Sequence, residues 1–179
     1  FRTSGRIADL LHLYGCDEVL TDQQVCKSEA RMGVPEGGGM TGVIGMLHCG
    51  MGPTVALRFD IDALPVRECE ELDHFPAQEG FRSEHAGYMH ACGHDGHITV
   101  GLGTAKLLCQ MREQLHGTIK FIFQPAEEGV RGARAIVENG HLEDVDFLLA
   151  AHMYGGSEQH PCGICITCLL YTSDAADDK

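Results

Sequence analysis

The segment His90–His97 carries the densest chemistry of the chain, because it packs three histidines, one cysteine and one aspartate into eight residues. Cysteine thiolates and neutral imidazoles are preferred ligands of zinc and related transition metals. Cys92 and His94 lie two residues apart, so an extended backbone would point both at one ion. The interleaved glycines permit a tight turn, and Asp95 is a candidate for holding an imidazole N–H. The alternative is a histidine-rich surface loop.

A pair of carboxylates follows the predicted strand Thr54 to Phe59. Asp60 and Asp62 are spaced two apart, so they are expected to point to the same side. Open α/β sheets place their functional sites at the carboxyl ends of strands. The pair is therefore a candidate for ligands or for groups that hold ligands, and the alternative is a solvated aspartate pair.

Two further predicted strands also end in metal-type donors. Glu127 and Glu128 follow the strand Thr118 to Phe123, and His152 follows the apolar run Asp146 to Ala151. Adjacent carboxylates that point in different directions can act as a metal ligand and as a general base, which metal-assisted hydrolysis requires. A surface glutamate pair and a structural histidine are the alternatives. Three strand ends with donors favour the metal site.

The elements that must position these residues follow from hydrophobic periodicity and turn residues. A glycine-rich stretch, 35–42, is interpreted as a flexible connection, because no phosphate-loop ending follows it. The turn Gly50 to Pro53 predicts a hairpin, and the run Asp146 to Ala151 predicts a buried strand. The other predictions are a helix from Ile7 to Tyr14 ended by Gly15, a strand from Val43 to Leu47, a helix from Ile98 to Leu115 ended by Gly117, and a helix from Ala133 to Glu138.

Composition narrows the function classes. A net charge of −13 over 179 residues argues against nucleic acid or an anionic membrane as the partner. No apolar run reaches transmembrane length, and nine cysteines without a regular framework indicate reduced thiols in a cytoplasmic protein. Cys162, Cys165 and Cys168 leave open an iron–sulfur or zinc module, although a fourth cysteine at suitable spacing is missing. The alternative is a strand with buried thiols.

Three motifs carry a family resemblance. His90-Ala-Cys-Gly-His-Asp95, Gln124-Pro-Ala-Glu-Glu-Gly129 and Arg58-x-Asp-x-Asp-Ala-Leu-Pro65 resemble the N-acyl-amino-acid amidohydrolase branch of the aminoacylase/carboxypeptidase dinuclear metallohydrolases. This branch includes hippurate hydrolases, auxin-conjugate hydrolases and aminobenzoyl-glutamate hydrolases, of which the last are the most similar. The resemblance runs from about Phe1 to Cys168.

The resemblance implies the activity and the metal ligands. It implies a hydrolase that cleaves the amide bond of N-acyl or N-aroyl amino acids into a carboxylic acid and an amino acid. Two divalent ions in each protomer, Mn²⁺ or Zn²⁺, would be held by Cys92, His94, Glu128 and His152. A dipeptidase or carboxypeptidase of the same superfamily is the first alternative, and a non-catalytic metal or iron–sulfur protein is the second.

The resemblance also implies roles for the remaining carboxylates. Glu127 would be the general base that takes a proton from the attacking water. Asp62 is placed in the catalytic group beside it, in support rather than as a ligand. Asp60 and Asp95 are expected to hold the ligands in place. The small-molecule substrate is the expected partner, and the full-length protein is expected to be a homodimer or an A/B hetero-oligomer.

The fold class implied is α/β, a zinc-peptidase-like catalytic domain with a central mixed sheet flanked by helices. Residues 1–168 are expected to be the N-terminal part of this domain, and residues 169–179 a non-native tail. A further histidine ligand and a second α/β lid and dimerisation domain are expected beyond this chain. The chain alone is therefore expected to be inactive.

Overall fold

The computed structural model describes residues 2–27, 41–71, 73–129 and 131–153. Most of the glycine-rich stretch 35–42, the cysteine cluster 162–168 and the segment 169–179 lie outside the described residues. The elements in chain order are α1 (Arg2–Tyr14), β1 (Glu18–Thr21), β2 (Val43–His48), β3 (Thr54–Asp60), α2 (Phe75–Gln78), α3 (His94–Gln110), β4 (Thr118–Gln124), α4 (Gly132–Glu138) and β5 (Phe147–Ala150).

The strands form one mixed sheet in the order β1-β2-β4-β3-β5. The strands β3, β4 and β5 run parallel, whereas β1 and β2 add to the β4 side by antiparallel pairing. Helices cover both faces of this sheet. The predicted α/β class, with a central mixed sheet flanked by helices, is therefore confirmed.

The predicted hairpin at Gly50 to Pro53 is wrong, because β4 lies between β2 and β3. The chain does turn there, but β4 enters the gap between the two strands. Thr118 N–H donates to the Pro53 carbonyl at 3.0 Å, and Cys49 N–H donates to the Gly117 carbonyl at 2.7 Å. Turn residues specify a chain reversal, whereas burial of the apolar β4 strand decides which strands pair.

Side-chain alternation along the strands divides the core between the two faces of the sheet. One face packs against α1 and α3 around Leu11, Phe121 and Phe123, which are fully buried. The other face packs against α4 through Ile122 and Ile136. The site-bearing helix α3 is thus held directly against the central strands.

Helix α3 begins earlier than predicted, at His94, and ends at Gln110, followed by a single 3₁₀ turn at Arg112–Gln114. Apolar periodicity first appears at Ile98, because the first helical turn consists of site residues and a glycine. Leu115 lies beyond the helix in extended backbone. Among the described helices, none is long and apolar enough to cross a membrane.

Strand β5 is exposed, so the predicted buried strand at 146–151 is wrong in this chain. Phe147 is 61% exposed and Leu149 is 57% exposed. Within the described residues, β5 lies at the edge of the sheet and pairs only with β3. Apolar composition predicts a tendency to be buried, but the elements packed around a strand decide its exposure.

Candidate metal centre

The carboxyl ends of the three parallel strands meet at one edge of the sheet, as the sequence predicted. Register pairs Asp60 with Gln124 across β3 and β4, and pairs Arg58 with Ala150 across β3 and β5. Each strand therefore ends beside its neighbour. The segments that follow bring the carboxylates after β3 and β4 and the imidazole after β5 to a common region.

The first turn of α3 supplies the other donors. The backbone turns from His90 to Gly93, and Gly93 adopts a left-handed conformation at φ +78° immediately before the helix. The extended geometry expected for Cys92-x-His94 is therefore wrong. A turn followed by a helix start, rather than strand alternation, brings Cys92 and His94 to the site.

His94 lies at the centre of the cluster and is fully buried. Its Nδ1 lies 3.0 Å from the Asp62 carbonyl oxygen and 3.2 Å from Asp62 Oδ1, so Nδ1 carries the proton and donates. Its Nε2 is then an unprotonated lone pair. This atom lies 3.9 Å from Glu127 Oε2 and 3.9 Å from Glu128 Oε1, and it has no hydrogen-bond partner among the described residues.

A tight turn after β4 fixes the two glutamates. Ala126 has a left-handed backbone at φ +53°, an uncommon conformation for a residue with a Cβ. Its carbonyl accepts the N–H groups of Arg131 and Gly132. Gly132 also leaves no room for a Cβ, because one would lie 1.6 Å from the Pro125 carbonyl oxygen. Backbone strain of this kind is common where side chains must be held for function.

Asp62 joins the two sides of the cluster. Its carbonyl oxygen accepts from both His94 and His90, the latter at 3.1 Å from Nδ1. Its Oδ2 accepts the Glu128 N–H at 3.1 Å. Asp62 thus ties the end of β3 to the start of α3 and to the turn after β4.

Cys92 completes the cluster beside the histidine that follows β5. Its Sγ lies 3.5 Å from His152 Nε2. Desolvation, a hydrogen bond with Glu128 and the negative charges of Glu128, Glu127 and Asp60 raise the pKa of the Cys92 thiol. Negative charge crowds this site, so a cation would favour the thiolate and the carboxylates together.

These donors fit a transition-metal centre. Three overlapping groups have ligand atoms within 4.8 Å of one another, and His94 belongs to all of them: Cys92, His94 and His152; His94, Glu127 and Glu128; and Asp60, His94 and His97. The lone pair of His94 Nε2 faces two carboxylate oxygens, which are also acceptors. A cation between them would relieve this mismatch, and mixed thiolate, imidazole and carboxylate donors suit zinc and its neighbours.

His97 is the site residue to which the sequence analysis gave no role. It is 3% exposed, and its ring is edge-on to that of His152 with centroids 4.5 Å apart. Burial lowers the pKa of His97 to about 4, aided by the neighbouring imidazoles of His152 and His94. The available signal was its spacing: His94 and His97 are three apart, and α3 therefore presents them on one face.

Asp60 is buried behind the cluster and forms an ion pair with Arg58, with Arg58 Nη2 at 2.5 Å from Asp60 Oδ1. Burial raises the pKa of Asp60, and the charge of Arg58 opposes that shift. Asp95, in contrast, is exposed, and its carboxylate accepts the Gly96 N–H at 2.9 Å. The described hydrogen bonds place Asp62, rather than Asp95, on the His94 imidazole, so the role of Asp95 stays a prediction.

Comparisons with known proteins agree with this geometry. The chain is 42% identical over 181 residues to the A subunit of p-aminobenzoyl-glutamate hydrolase from Escherichia coli strain K12 and, over the same length, 42% identical to indole-3-acetyl-aspartic acid hydrolase of Enterobacter agglomerans. Each alignment covers 87% of this chain and 41% of the relative. The chain thus spans about two fifths of the length of these relatives.

A solved structure also matches, that of the YXEP protein of Bacillus subtilis, a dinuclear metal binding peptidase from the M20 family. The TM-score is 0.67 at 39% identity, covering 84% of this chain and 36% of that one. Residues 56–170, which include all of the cluster, match peptidase family M20/M25/M40. The chain therefore belongs to peptidase family M20/M25/M40.

Proposed function

We propose that the protein carrying this chain is a metal-dependent amidohydrolase that cleaves N-acyl or N-aroyl amino acids into a carboxylic acid and an amino acid. The observation that carries the proposal is the convergence of Cys92, His94, Glu127, Glu128 and His152 around a buried, unpartnered imidazole nitrogen. The names of both relatives describe an aromatic acid joined through an amide to an acidic amino acid. This shared chemistry supports aminobenzoyl-glutamate and related conjugates as the substrate class.

Two divalent ions, Zn²⁺ or Mn²⁺, would be held by Cys92, His94, Glu128 and His152. The dinuclear description of the Bacillus subtilis neighbour supports the number. When bound, such ions would supply Lewis acidity toward the amide carbonyl and toward water. The thiolate of Cys92 and two imidazoles make a softer donor set than an all-oxygen site, which favours zinc.

Glu127 is proposed as the general base. It lies beside Glu128 but is the more exposed of the two, with 37% of its side chain accessible against 26%. A solvent-facing carboxylate can take a proton from the attacking water and deliver it to the leaving amine. Asp62 acts through its contacts with His94 and Glu128, so we propose a positioning role for it within the catalytic group.

A cavity beside the cluster supports the location of the substrate site. Its volume is about 960 Å³, which suits a small organic molecule. Asp62 and Glu128 line one side of it, and apolar side chains from the segment after β3 line another. These apolar residues include Leu64, Pro76, Phe81 and Tyr88.

The remaining proposals concern location and assembly. The cysteines of the described residues are free thiols, including the buried Cys16 and Cys26, which suits a reducing compartment. We therefore propose the cytoplasm. The Escherichia coli relative is named as one lettered component of a hydrolase, which supports a homodimer or an A/B hetero-oligomer.

The test combines metal analysis with a substrate panel on the full-length protein. After extensive dialysis we expect bound zinc or manganese, reduced in Cys92→Ala and His94→Ala but not in the surface variant His12→Ala. Aroyl amino acids such as aminobenzoyl-glutamate and hippurate should be cleaved faster than dipeptides. Unchanged metal content in both site variants would overturn the metal centre, and a preference for dipeptides would favour a dipeptidase.

A further inference from the structure

A buried chain of polar side chains connects the central strands to the end of β5, behind the proposed ligands. Arg58 Nε donates to Gln124 Oε1 at 2.7 Å, and its guanidinium forms the ion pair with Asp60. Asp60 Oδ2 lies 3.7 Å from His97 Nδ1. The last member of the chain is the Met153 N–H, which donates to His97 Nε2 at 2.8 Å.

The hydrogen bond from Met153 determines the tautomer of His97. An imidazole nitrogen that accepts a hydrogen bond carries no proton, so the neutral ring must carry its proton on Nδ1. That N–H faces the Asp60 carboxylate. Since a protonated nitrogen cannot ligate a metal, and Nε2 is already occupied by Met153, neither nitrogen of His97 is free for an ion.

The position of His152 depends on this contact. His152 follows the exposed edge strand β5 in irregular backbone, and Met153 is the next residue along the chain. The His97 ring fixes the Met153 amide and also packs against the His152 ring. Gly96 accommodates the Met153 side chain, because a Cβ at that position would lie 1.9 Å from Met153 Sδ.

We propose that His97 is a positioning residue that, backed by Asp60, holds the segment after β5 so that His152 faces Cys92 and His94. The inference rests on the proposed metal centre. It differs from the grouping of Asp60, His94 and His97 as ligands, although those three side chains also lie close enough for one ion. Buried hydrogen-bond partners of this kind orient metal ligands.

The first test reads the tautomer of His97 directly in the full-length protein. With histidine labelled in its ring nitrogens, nuclear magnetic resonance should show the His97 proton on Nδ1, both without metal and with Zn²⁺ bound. The resonance is assigned by its loss in His97→Gln. With spin-active cadmium in place of zinc, His94 and His152 should show coupling to the metal and His97 none. A proton on Nε2, or coupling of His97 to cadmium, would overturn the proposal.

The second test measures Zn²⁺ affinity by competition with a chelator. His97→Phe should bind Zn²⁺ about tenfold to a hundredfold more weakly, the usual range for loss of a group that orients a ligand. His97→Gln should lose less, because its amide oxygen can still accept the Met153 N–H. His12→Phe, an exposed histidine on α1, is the matched control and should bind as the wild type.

Circular dichroism establishes that each variant is folded. Wild-type affinity in His97→Phe, or an equal loss in the Phe and Gln variants, would contradict a role through the Met153 hydrogen bond. If His97→Phe does not fold, the wild-type tautomer and the His97→Gln affinity decide the question. Neither measurement uses turnover, so a wrong substrate assignment would fail separately.

Discussion

Two adjacent glutamates face the same buried nitrogen, yet their surroundings differ. The Glu128 N–H is bound by Asp62, and its side chain contacts Cys92. The Glu127 carboxylate is the more exposed one. At the scale of single residues, this difference supports our proposal of metal binding by Glu128 and proton transfer by Glu127.

We predict that Glu127→Gln in the full-length protein retains its metal and loses turnover by about a hundredfold to ten-thousandfold, the usual cost of removing a general base. Glu128→Gln should instead lower metal content, because it replaces a charged ligand with a neutral amide. Steady-state kinetics and metal analysis on both variants measure the two effects. The exposed Glu113→Gln serves as control, and near wild-type turnover by Glu127→Gln would reverse the assignment.

At the scale of elements, helix α3 holds the site by its close approach to the sheet. Gly101 lies under the rings of Phe59 and Phe123, and a Cβ there would lie 2.8 Å from atoms of both. Gly103, on the same helix, has nothing within 4 Å of such a Cβ. The two glycines therefore provide a matched pair for measuring the packing constraint.

We predict that Gly101→Ala lowers the free energy of unfolding by about 1–3 kcal/mol, because overpacking outweighs the gain in helix propensity. Gly103→Ala should raise it by up to about 1 kcal/mol, since only the propensity term acts. Urea unfolding of both variants gives the two values. Equal effects would mean that α3 does not approach β3 and β4 as closely as described.

At the scale of the whole molecule, the edge strand β5 exposes apolar side chains beside the candidate site. Phe147 and Leu149 alternate along the strand, so both extend from the same face of the sheet. An exposed, apolar edge strand is a template for association with another chain. The 179-residue chain should therefore associate with further copies of itself in solution.

We predict that the double substitution Phe147→Lys and Leu149→Lys reduces this self-association, because charge on an edge strand opposes pairing. Sedimentation velocity over a range of protein concentrations measures the change. Leu13→Lys is the control, since Leu13 is 76% exposed on α1, away from the strand. A wild-type chain that stays monomeric at all concentrations would contradict the prediction.

The sequence alone indicated which residues carry the chemistry. Residue type and the position of strand ends were enough to select Asp60, Asp62, Glu127, Glu128 and His152, because parallel strands deliver their following residues to one edge. Clustering of Cys92 and His94 was also visible without a structure. Local periodicity located most helices and strands, since burial of one face leaves a pattern in the residues themselves.

Only the tertiary structure decided how those residues are arranged. The insertion of β4 between β2 and β3, the exposure of β5 and the helical start at His94 depend on contacts between segments distant in sequence. The role proposed for His97 has the same origin, because it needs Asp60 from β3 and Met153 from beyond β5 at the two nitrogens of one ring. Hydrogen-bond partners and strand neighbours are set by packing in three dimensions, which spacing along the chain does not encode.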